Sequence, residues 1–347
     1  MKAKMKQIIS IIAIVAVIAL LISVITLFPQ AKKQKKVVVY VAHDQDLSEP
    51  ILKEFEKVTG IKVEALYDTE ATKTVGLVNR LLAEKNNPQA DVFWNNEMIR
   101  TILLKDNGIL QPYCSPNAVD IELSYKDKDC YWTGFGARAR VILYNKNYVS
   151  KEDEPKSIFD LAKPAWKGKI CMGNPLLGST STHMAALFAS LGEEGAKSLL
   201  IKLKENGIQV LESNSMVRDK VVIGDCWVGL TDTDDAYDAI KEGKPVEMIF
   251  PDQGPNDMGN LVFPNTIMLI NGAKNIDEAK KLIDFILTSK VEEELARTAL
   301  QMPLKASSQI PPNVPDAIKI KPINVTFEEI YKNLENSRKF IQEVFLK

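Results

Sequence analysis

The sequence predicts an α/β protein of two lobes, preceded by a separate hydrophobic segment at the N-terminus. At 347 residues the chain is longer than a single hydrophobic core usually supports, which indicates two lobes. From residue 37 onward, strand-like and helix-like segments alternate. This alternation is typical of a mainly parallel sheet with helices on both faces. The apolar run before residue 37 stands outside this pattern.

The first region of the body contains short apolar runs, which we interpret as strands, separated by amphipathic runs of helical period. Ser48 is the predicted cap of the first helix. Gly60 and Gly108 follow helical runs, at positions where a left-handed residue closes a helix. The predicted order is strand "VVVYVA", helix "EPILKEFEKVTG", strand "IKVEALY", helix "TVGLVNRLLAEK", strand "ADVFW" and helix "EMIRTILLKDNG".

The second region begins at "RVILYN" and continues the alternation without an internal repeat or a low-complexity linker. Its last element is predicted as one long amphipathic helix, "IDEAKKLIDFILTSKVEEELARTAL". The elements before it are predicted as strand "KGKICMG", helices "THMAALFASLG" and "GAKSLLIKLKENG", strand "GIQVLES", helix "MVRDKVVIGD", strand "CWVGL" and strand "PNTIMLING".

Residues 1–36 form a signal or signal-anchor segment in this prediction. Lysines flank an uncharged run of 21 residues from Ile8 to Phe28. A helix of that length crosses a bilayer core at about 1.5 Å per residue. The following "LFPQA" is a poor signal-peptidase site, which favours an uncleaved membrane anchor over a removed signal. Either interpretation predicts an extracytoplasmic body, in the periplasm or on the outer face of the cell membrane.

The charge and the cysteines exclude some classes of protein. The net charge is −1 and the body has no block of Lys or Arg, so nucleic acid is not an expected partner. No cysteine pair has C-x-x-C spacing, which excludes common zinc and thioredoxin-type motifs. A Cys114–Cys130 disulfide would close one loop. Cys171 and Cys226 lie in short apolar strands, either as a bridge between neighbours or as buried free thiols.

The ordered set of segments resembles the extracytoplasmic solute-binding proteins of ABC importers, in particular their iron(III)-type group. The resemblance covers about residues 37–305 and implies a two-lobed type II periplasmic-binding-protein fold with a ligand cleft between the lobes. The segments that carry it are "VVVYVAHDQD", "FEKVTGIKVEALYDTEATKTVGLVNRLLAEKNNPQADVFWNNE", "GFGARARVILYN", "KPAWKGKI", "NSMVRDKVVIGD" and "GLTDTDDAY".

The resemblance also implies the limits of the lobes. Residues 37–137 and 264–302 would form lobe one, residues 138–263 would form lobe two, and a tail of residues 303–347 would pack on lobe two. It further implies a monomeric, non-catalytic receptor without a cofactor, whose partners are a small solute or ion and the membrane subunits of an ABC permease.

The aspartate-rich stretch "TDTDDAYD" follows a strand, where open α/β sheets bind ligands. We assign Asp232 and Asp234 to the ligand, and Asp235 and Asp238 to the start of the next helix, where acidic residues suit the helix dipole. The stretch lacks the glycine and glutamate of a calcium loop. Iron-binding relatives carry adjacent tyrosines at the positions of Thr233 and Asp234, so the phenolate pair for ferric ion is missing here.

Two further motifs predict an anion site in lobe two. "GSTST" opens a helix after Gly178, so Ser179, Thr180 and Ser181 offer hydroxyl groups beside free backbone N–H groups. The alternative is a simple helix cap, and the resemblance favours the anion site. Arg138 and Arg140 are two apart on one strand face, which suits either a bidentate anion clamp or a salt bridge between the lobes.

Polar residues of lobe one follow strands at the opposite rim. His43 and Asp44 end the first strand, and Asn96 and Glu97 end "VFW". Relatives draw ligand contacts from these turns. The stretch "DTEATK" contributes two more candidates near a helix start, Thr69 and Thr72.

These patterns together predict a receptor that captures a small anionic solute, a phosphorylated compound or a phosphonate, by hinge closure. No catalytic motif of the G-x-S-x-G or H-E-x-x-H type is present, so we do not expect an enzyme. The first alternative is a ferric-ion receptor in which Asp232, Asp234, Glu97 and His43 hold Fe³⁺ as the transported ligand. A more distant alternative is a membrane-anchored phosphatase that uses Asp232 and Asp234.

Overall fold

The computed structural model describes Met5 and residues 34–68, 74–312 and 314–345. The predicted N-terminal hydrophobic helix lies outside the described residues, apart from Met5. Within the described part of the chain, no helix has both the length and the apolar character to cross a membrane. The body from Lys36 to Lys347 forms one unit, and the fold described below is that of this unit.

Ten strands and nine α-helices make up the described body. The strands are β1 (Lys36–Val41), β2 (Lys62–Tyr67), β3 (Val92–Asn95), β4 (Leu110–Gln111), β5 (Thr133–Asn145), β6 (Ile170–Gly173), β7 (Gln209–Leu211), β8 (Val228–Asp232), β9 (Val246–Ile249) and β10 (Val262–Ile270). The helices are α1 (Gln45–Thr59), α2 (Val75–Ala83), α3 (Ile99–Asp106), α4 (Gly178–Glu205), α5 (Asn214–Ile223), α6 (Thr233–Lys241), α7 (Ile276–Ile286), α8 (Ser289–Ala299) and α9 (Phe327–Phe345).

The strands hydrogen-bond in the order β2-β1-β3-β10-β5-β8-β6-β7, with β4 on β10 and β9 on β5. The outer strands at each end pair in parallel, as βαβ units do. The central strands β10, β5 and β8 pair antiparallel. The prediction of a mainly parallel sheet was therefore wrong for the centre, because two long strands there run against their neighbours and join the two halves.

Strand β5 connects the two halves of the sheet. Its first half, through Ala139, pairs with β10, and its second half, from Arg140 to Tyr144, pairs with β8. Every residue of β5 is buried. Arg138 and Arg140 thus lie on either side of the point where β5 changes partners.

Several helix ends follow the sequence signals, and two do not. Gly60 closes α1 with a φ of 70°, as predicted. Ser48 was wrongly predicted as the cap of α1, since the helix already begins at Gln45 and Asp44 precedes it. The single long helix predicted after residue 275 is two helices, α7 and α8. It breaks because the Thr288 side chain accepts a hydrogen bond from the N–H of Val291 and starts a new helix.

The described apolar residues form separate cores in the two halves of the sheet. One core contains Val39, Trp94 and Phe135, and another contains Tyr144, Leu187 and Leu230. The C-terminal helix α9 packs against both α3 and α4, with Ile330 buried at the contact. The predicted tail therefore contacts elements of both halves.

One disulfide is present, between Cys114 and Cys130, with a Cα–Cα distance of 5.0 Å. It closes the loop that joins β4 to β5. Cys171 and Cys226 are buried and not bonded to each other.

Candidate functional site

A small pocket lies where strands β6, β7 and β8 end, at the N-termini of α4 and α5. Its volume is about 40 Å³. We call it the polar pocket. Gly178 to Thr180 begin α4, and Ser213 caps α5 by accepting a hydrogen bond from the N–H of Met216. The lining residues of the polar pocket are Asp44, Asn96, Arg138, Asn174, Leu177, Gly178, Ser179, Thr180, Glu212, Ser213, Asn214, Asp232 and Asp235.

Asn214 is the centre of the hydrogen bonds in the polar pocket. Its Nδ2 donates to Asp232 Oδ2 at 2.9 Å and to Ser179 Oγ at 3.0 Å. Its Oδ1 accepts from Thr180 Oγ1 at 3.1 Å. One side chain therefore fixes both hydroxyl groups and the carboxylate relative to the start of α5.

Gly173 makes this arrangement possible at the end of β6. A Cβ at this position would lie 2.8 Å from Asn214 Oδ1 and 3.0 Å from Thr180 Oγ1. Such contacts are shorter than a carbon and an oxygen tolerate. The glycine allows the N-termini of α4 and α5 to approach each other, so that both lie at the polar pocket.

Two buried arginines pair with two aspartates of the 232–235 stretch. Arg140 Nη1 donates to Asp232 Oδ1 at 2.5 Å, and Arg138 Nη1 donates to Asp234 Oδ2 at 3.0 Å. Arg138 also donates through Nη2 to the backbone carbonyl of Asn96. Arg138 thus contacts the segments that follow β3 and β8, through a backbone carbonyl and a carboxylate respectively, and it also lines the polar pocket.

A second cavity of about 370 Å³ adjoins the polar pocket and shares Asp44 and Asp235 with it. We call it the acidic pocket. Six aspartates and one arginine line the acidic pocket. Its lining residues are Ala42, His43, Asp44, Gln45, Asp46, Leu47, Asp68, Ser215, Arg218, Asp234, Asp235, Asp238 and Ala299.

The excess of carboxylates shifts the acid–base equilibria of the site. Burial, together with the charges of Asp232 and Asp44, raises the pKa of Asp234 above its ordinary value, although Arg138 opposes this. Burial and the charge of Asp234 raise the pKa of Asp238 to about 6. Negative charge is therefore held at a free-energy cost on this side of the site, and a bound cation would relieve it.

Asp235 and Asp238, which the sequence assigned to the start of the helix, also line the acidic pocket. Asp232 precedes the helix and Asp234 lies in its first turn.

Glu97 and Ser181 lie outside both pockets. The Glu97 carboxylate accepts hydrogen bonds from the N–H groups of Ile99 and Arg100, which start α3, and from Thr182 Oγ1 at 3.0 Å. Ser181 Oγ accepts from Arg100 Nη2 at 3.4 Å. The structure therefore uses these predicted ligand residues to join α3 to α4.

The remaining predicted residues of lobe one lie at or near the pockets. His43 lines the acidic pocket, and its Nε2 is 2.6 Å from Gln301 Nε2. Asn96 lines the polar pocket, and its Oδ1 accepts from Thr74 Oγ1 at 2.5 Å. Thr69 and Thr72 lie outside the described residues.

Sequence reasoning missed several residues that line the pockets. Asn174, Ser213 and Asn214 follow β6 and β7, so the rule that ligands bind at strand ends would have found them. Asp46 and Arg218 lie within helices and gave no such signal.

The carboxylates of Asp232, Asp234 and Asp235 also form a candidate metal group, with ligand atoms within 4.8 Å of one another. Carboxylate oxygens suit hard cations. Among the described residues that line the two pockets, none is a tyrosine. A ferric ion here would have carboxylate ligands in place of phenolates.

A larger cavity of about 740 Å³ lies elsewhere, between the C-terminal segment and the loop closed by the disulfide. Its wall includes Tyr125, Trp132 and Ile323. It contains none of the candidate residues at the ends of β6 and β8, so we take the polar and acidic pockets as the candidate site.

Comparison with known proteins identifies relatives over most of the chain. The family model described as "Bacterial extracellular solute-binding protein" matches residues 88–333. An iron uptake protein A1 of Synechocystis is 25% identical over 323 residues, which cover 90% of this chain and 87% of the relative. A Salmonella typhi periplasmic protein named for 2-aminoethylphosphonate binding is 22% identical over 254 residues, 73% of this chain and 72% of the relative.

Solved structures share the fold over nearly the whole chain. A ferric binding protein of Campylobacter jejuni superposes with a TM-score of 0.80 at 26% identity, covering 89% of this chain and 99% of that chain. A periplasmic binding protein of Actinobacillus pleuropneumoniae, solved with fructose-6-phosphate bound, has a TM-score of 0.81 at 24% identity, covering 91% of this chain and 100% of that chain. The predicted two-lobed periplasmic-binding-protein fold is confirmed.

Proposed function

The chain belongs to the family of bacterial extracellular solute-binding proteins, of the iron(III) type that serves ABC importers, and we propose that it captures a small phosphorylated or phosphonate solute. Its family places it outside the cytoplasm. The solute's anionic group would occupy the polar pocket, and its amine or hydroxyl groups would face the acidic pocket. Closure of the two lobes would then present the loaded receptor to the permease.

The polar pocket supports the anionic end of this proposal. Two helix N-termini, the hydroxyl groups of Ser179 and Thr180 and the guanidinium of Arg138 meet in a space of about 40 Å³. Backbone N–H groups at helix N-termini and arginine side chains are the usual donors to a phosphate group. This grouping of hydrogen-bond donors in one pocket is the main observation that supports the proposal.

The acidic pocket supports the other part of the proposal, that the solute also carries amine or hydroxyl groups. Six aspartates and one arginine line it, so it attracts a cationic or hydroxyl-rich group and repels a second anion. An aminoalkyl phosphonate or a sugar phosphate has both kinds of group in one small molecule. Relatives named for such ligands occur beside the ferric binders.

Ferric ion is the second candidate ligand, since Asp232, Asp234 and Asp235 could ligate a hard cation and several relatives are named for iron. Two of these carboxylates already accept hydrogen bonds from Arg138 and Arg140, which lowers their capacity to neutralise a trivalent ion. The phosphatase alternative has less support, because the Asp232 carboxylate is held by Arg140, Ser179 and Asn214.

Native mass spectrometry of protein purified without refolding tests the proposal first, since a retained ligand would be identified by its mass. Isothermal titration with 2-aminoethylphosphonate, fructose-6-phosphate and Fe³⁺ with phosphate then compares the candidates. We expect one of the phosphorus compounds to bind and to compact the protein in solution scattering. Tight binding of Fe³⁺ with no response to either phosphorus compound would favour the iron alternative.

Asp235→Asn and Asp225→Asn form a matched pair for this titration. Both remove one carboxylate charge, but Asp235 lines both pockets whereas Asp225 pairs with Lys220 on the surface. We expect only Asp235→Asn to change the affinity. Equal effects of the two variants would mean that long-range charge, and not the pockets, governs binding.

A further inference from the structure

Two buried cysteines lie below the pockets and take no part in the ligand site described above. Cys171 is in β6, and Cys226 lies two residues before the start of β8. Both have no exposed surface. They belong to one apolar cluster, which also contains Val217 and Val221 of α5 and Ala236 of α6.

Neighbouring strands hold the two cysteines in one apolar cluster. β6 and β8 are parallel neighbours, and Cys171 lies opposite Gly229, three residues after Cys226. The Cys171 Sγ is 3.8 Å from the carbonyl oxygen of Val228, and a Cβ on Gly229 would lie 3.4 Å from that sulfur. The interaction between the two thiols raises the pKa of Cys171 and lowers the pKa of Cys226.

We propose that Cys171 and Cys226 form a second disulfide when the chain folds outside the cytoplasm, tying β6 to the start of β8. The two side chains lie in one apolar cluster, on neighbouring parts of the sheet. The family's location supplies the oxidising surroundings in which disulfides persist. The inference does not depend on which ligand the pockets bind.

The reaction is a thiol–disulfide exchange with an external disulfide oxidant, such as a dithiol oxidase or glutathione disulfide. The Cys226 thiolate attacks one sulfur of the oxidant, and the other sulfur leaves as a thiolate. The Cys171 thiol then loses its proton and attacks Cys226 Sγ, releasing the second oxidant thiolate. The two cysteines lose two electrons and two protons in total, and the oxidant becomes two thiols.

The position of Cys226 favours it as the first nucleophile. Cys226 lies in an irregular segment next to Asp225, which is exposed, whereas Cys171 is inside the sheet. The exchange belongs to folding, before the cluster closes over both sulfurs.

The bond would reinforce the base of the polar pocket. β6 leads into Asn174 and the start of α4, and β8 ends at Asp232. Tying these strands together at their base holds the residues at their carboxyl ends in register. Reduction of this bond would therefore loosen the half of the protein that supplies the polar pocket. The Cys114–Cys130 disulfide closes a different loop, so its reduction would act elsewhere.

The test uses the chain exported to an oxidising compartment, denatured with an alkylating reagent present, and digested for mass spectrometry. We expect no alkylated cysteine and a peptide pair linked through Cys171 and Cys226. Alkylation of both Cys171 and Cys226, while Cys114 and Cys130 remain linked, would overturn the proposal. A Cys171 or Cys226 linked to any other cysteine would overturn it as well.

A second measurement separates the effect of the proposed Cys171–Cys226 bond from that of the Cys114–Cys130 disulfide. The Cys114→Ser/Cys130→Ser variant keeps only the buried pair, and it is unfolded and refolded in reduced or oxidised glutathione before thermal unfolding. We expect a higher melting temperature in the oxidised sample, and no such difference after the further change Cys226→Ala. Equal melting temperatures of the two samples, with both thiols still titratable after unfolding, would count against the bond.

Discussion

The polar pocket and the acidic pocket share two aspartates but hold their carboxylates in different ways. In the polar pocket, Asp232 accepts hydrogen bonds from Arg140, Ser179 and Asn214, so its charge is fully compensated. In the acidic pocket, six aspartates and one arginine line the wall, and burial with the charge of Asp234 raises the pKa of Asp238 to about 6. The carboxylate of the first pocket is therefore held by several donors, whereas the second pocket concentrates negative charge. This difference is the reason for proposing a ligand with two unlike ends.

The largest expected effect comes from removing the arginine that serves both pockets. Arg138→Gln leaves Asp234 buried without its counterion, so we expect a loss of about 3–5 kcal/mol in the free energy of unfolding. Urea unfolding measures it. Arg218→Gln is the control, because Arg218 is partly exposed and its loss should cost less than about 1 kcal/mol. Adding Asp234→Asn to Arg138→Gln should recover part of the loss; no recovery would show that the ion pair is not the cause.

The next effect concerns the anion donors. Ser179→Ala with Thr180→Ala should weaken binding of 2-aminoethylphosphonate or fructose-6-phosphate by about 10- to 100-fold, or roughly 1–3 kcal/mol, since phosphate oxygens lose hydrogen bonds. Calorimetric titration measures the change. Ser215→Ala, which alters a hydroxyl in the acidic pocket, should change phosphate binding less. If stability falls and affinity does not, the two hydroxyl groups serve only to order the start of α4.

The third prediction separates the pockets by pH. Between pH 5 and pH 7 Asp238 loses its proton, because its pKa is about 6, and the acidic pocket then holds an ammonium group better. Affinity for 2-aminoethylphosphonate should rise up to about tenfold over this range. The ligand itself also gains or loses protons over this range. The pH profile of the unaltered protein is therefore compared with that of Asp238→Asn, because the ligand's own titration affects both profiles equally. A pH profile unchanged by that substitution would remove Asp238 from the site.

The smallest effect is on the stability of the unliganded protein. A carboxyl group whose pKa is raised on folding stabilises the fold below its unfolded pKa and loses that contribution as pH rises through the folded value. Asp238 should therefore destabilise the protein as pH rises from about 4 to about 6. Asp238→Asn should flatten this slope and raise stability at pH 7 by less than about 1 kcal/mol, since 49% of the side chain is exposed. A steeper slope in the variant would contradict the sign.

The sequence was sufficient to predict most of the elements in order, although not β4, β9 or α9, and the edge of the sheet where the pockets lie. The strand-end rule brought Ser179, Thr180 and Asp232 to one place, and the structure puts all three in the polar pocket. It did not predict Asn214, whose importance comes from contacts with three residues distant in the chain. Such contacts depend on how α4 and α5 pack, which no local pattern encodes.

Other contacts could not be predicted from the sequence, for local physical reasons. Glu97 follows a strand like a ligand residue, and its carboxylate accepts hydrogen bonds from the N–H groups at the start of α3. Asp238 lines the acidic pocket, and the orientation of α6 relative to that cavity depends on packing that its sequence does not encode. Likewise, Arg138 and Arg140 were predicted either to bind an anion or to bridge the lobes, and only the fold places Asp234 and Asp232 beside them.

Helix α9 constrains the direction in which the cleft opens. Its residues Ile330 and Leu334 share one apolar cluster with Ile99 of α3 and Ala185 of α4, so a single helix covers both halves on one side. Separating α3 from α4 along this side would expose that cluster to water, at about 25 cal/mol for each Å² of apolar surface. Rotation of the proposed lobes about an axis near α9 would avoid this cost and would widen the opposite side most. We therefore expect α9 to act as the pivot of lobe opening, and a chain truncated before Phe327 to open over a wider range.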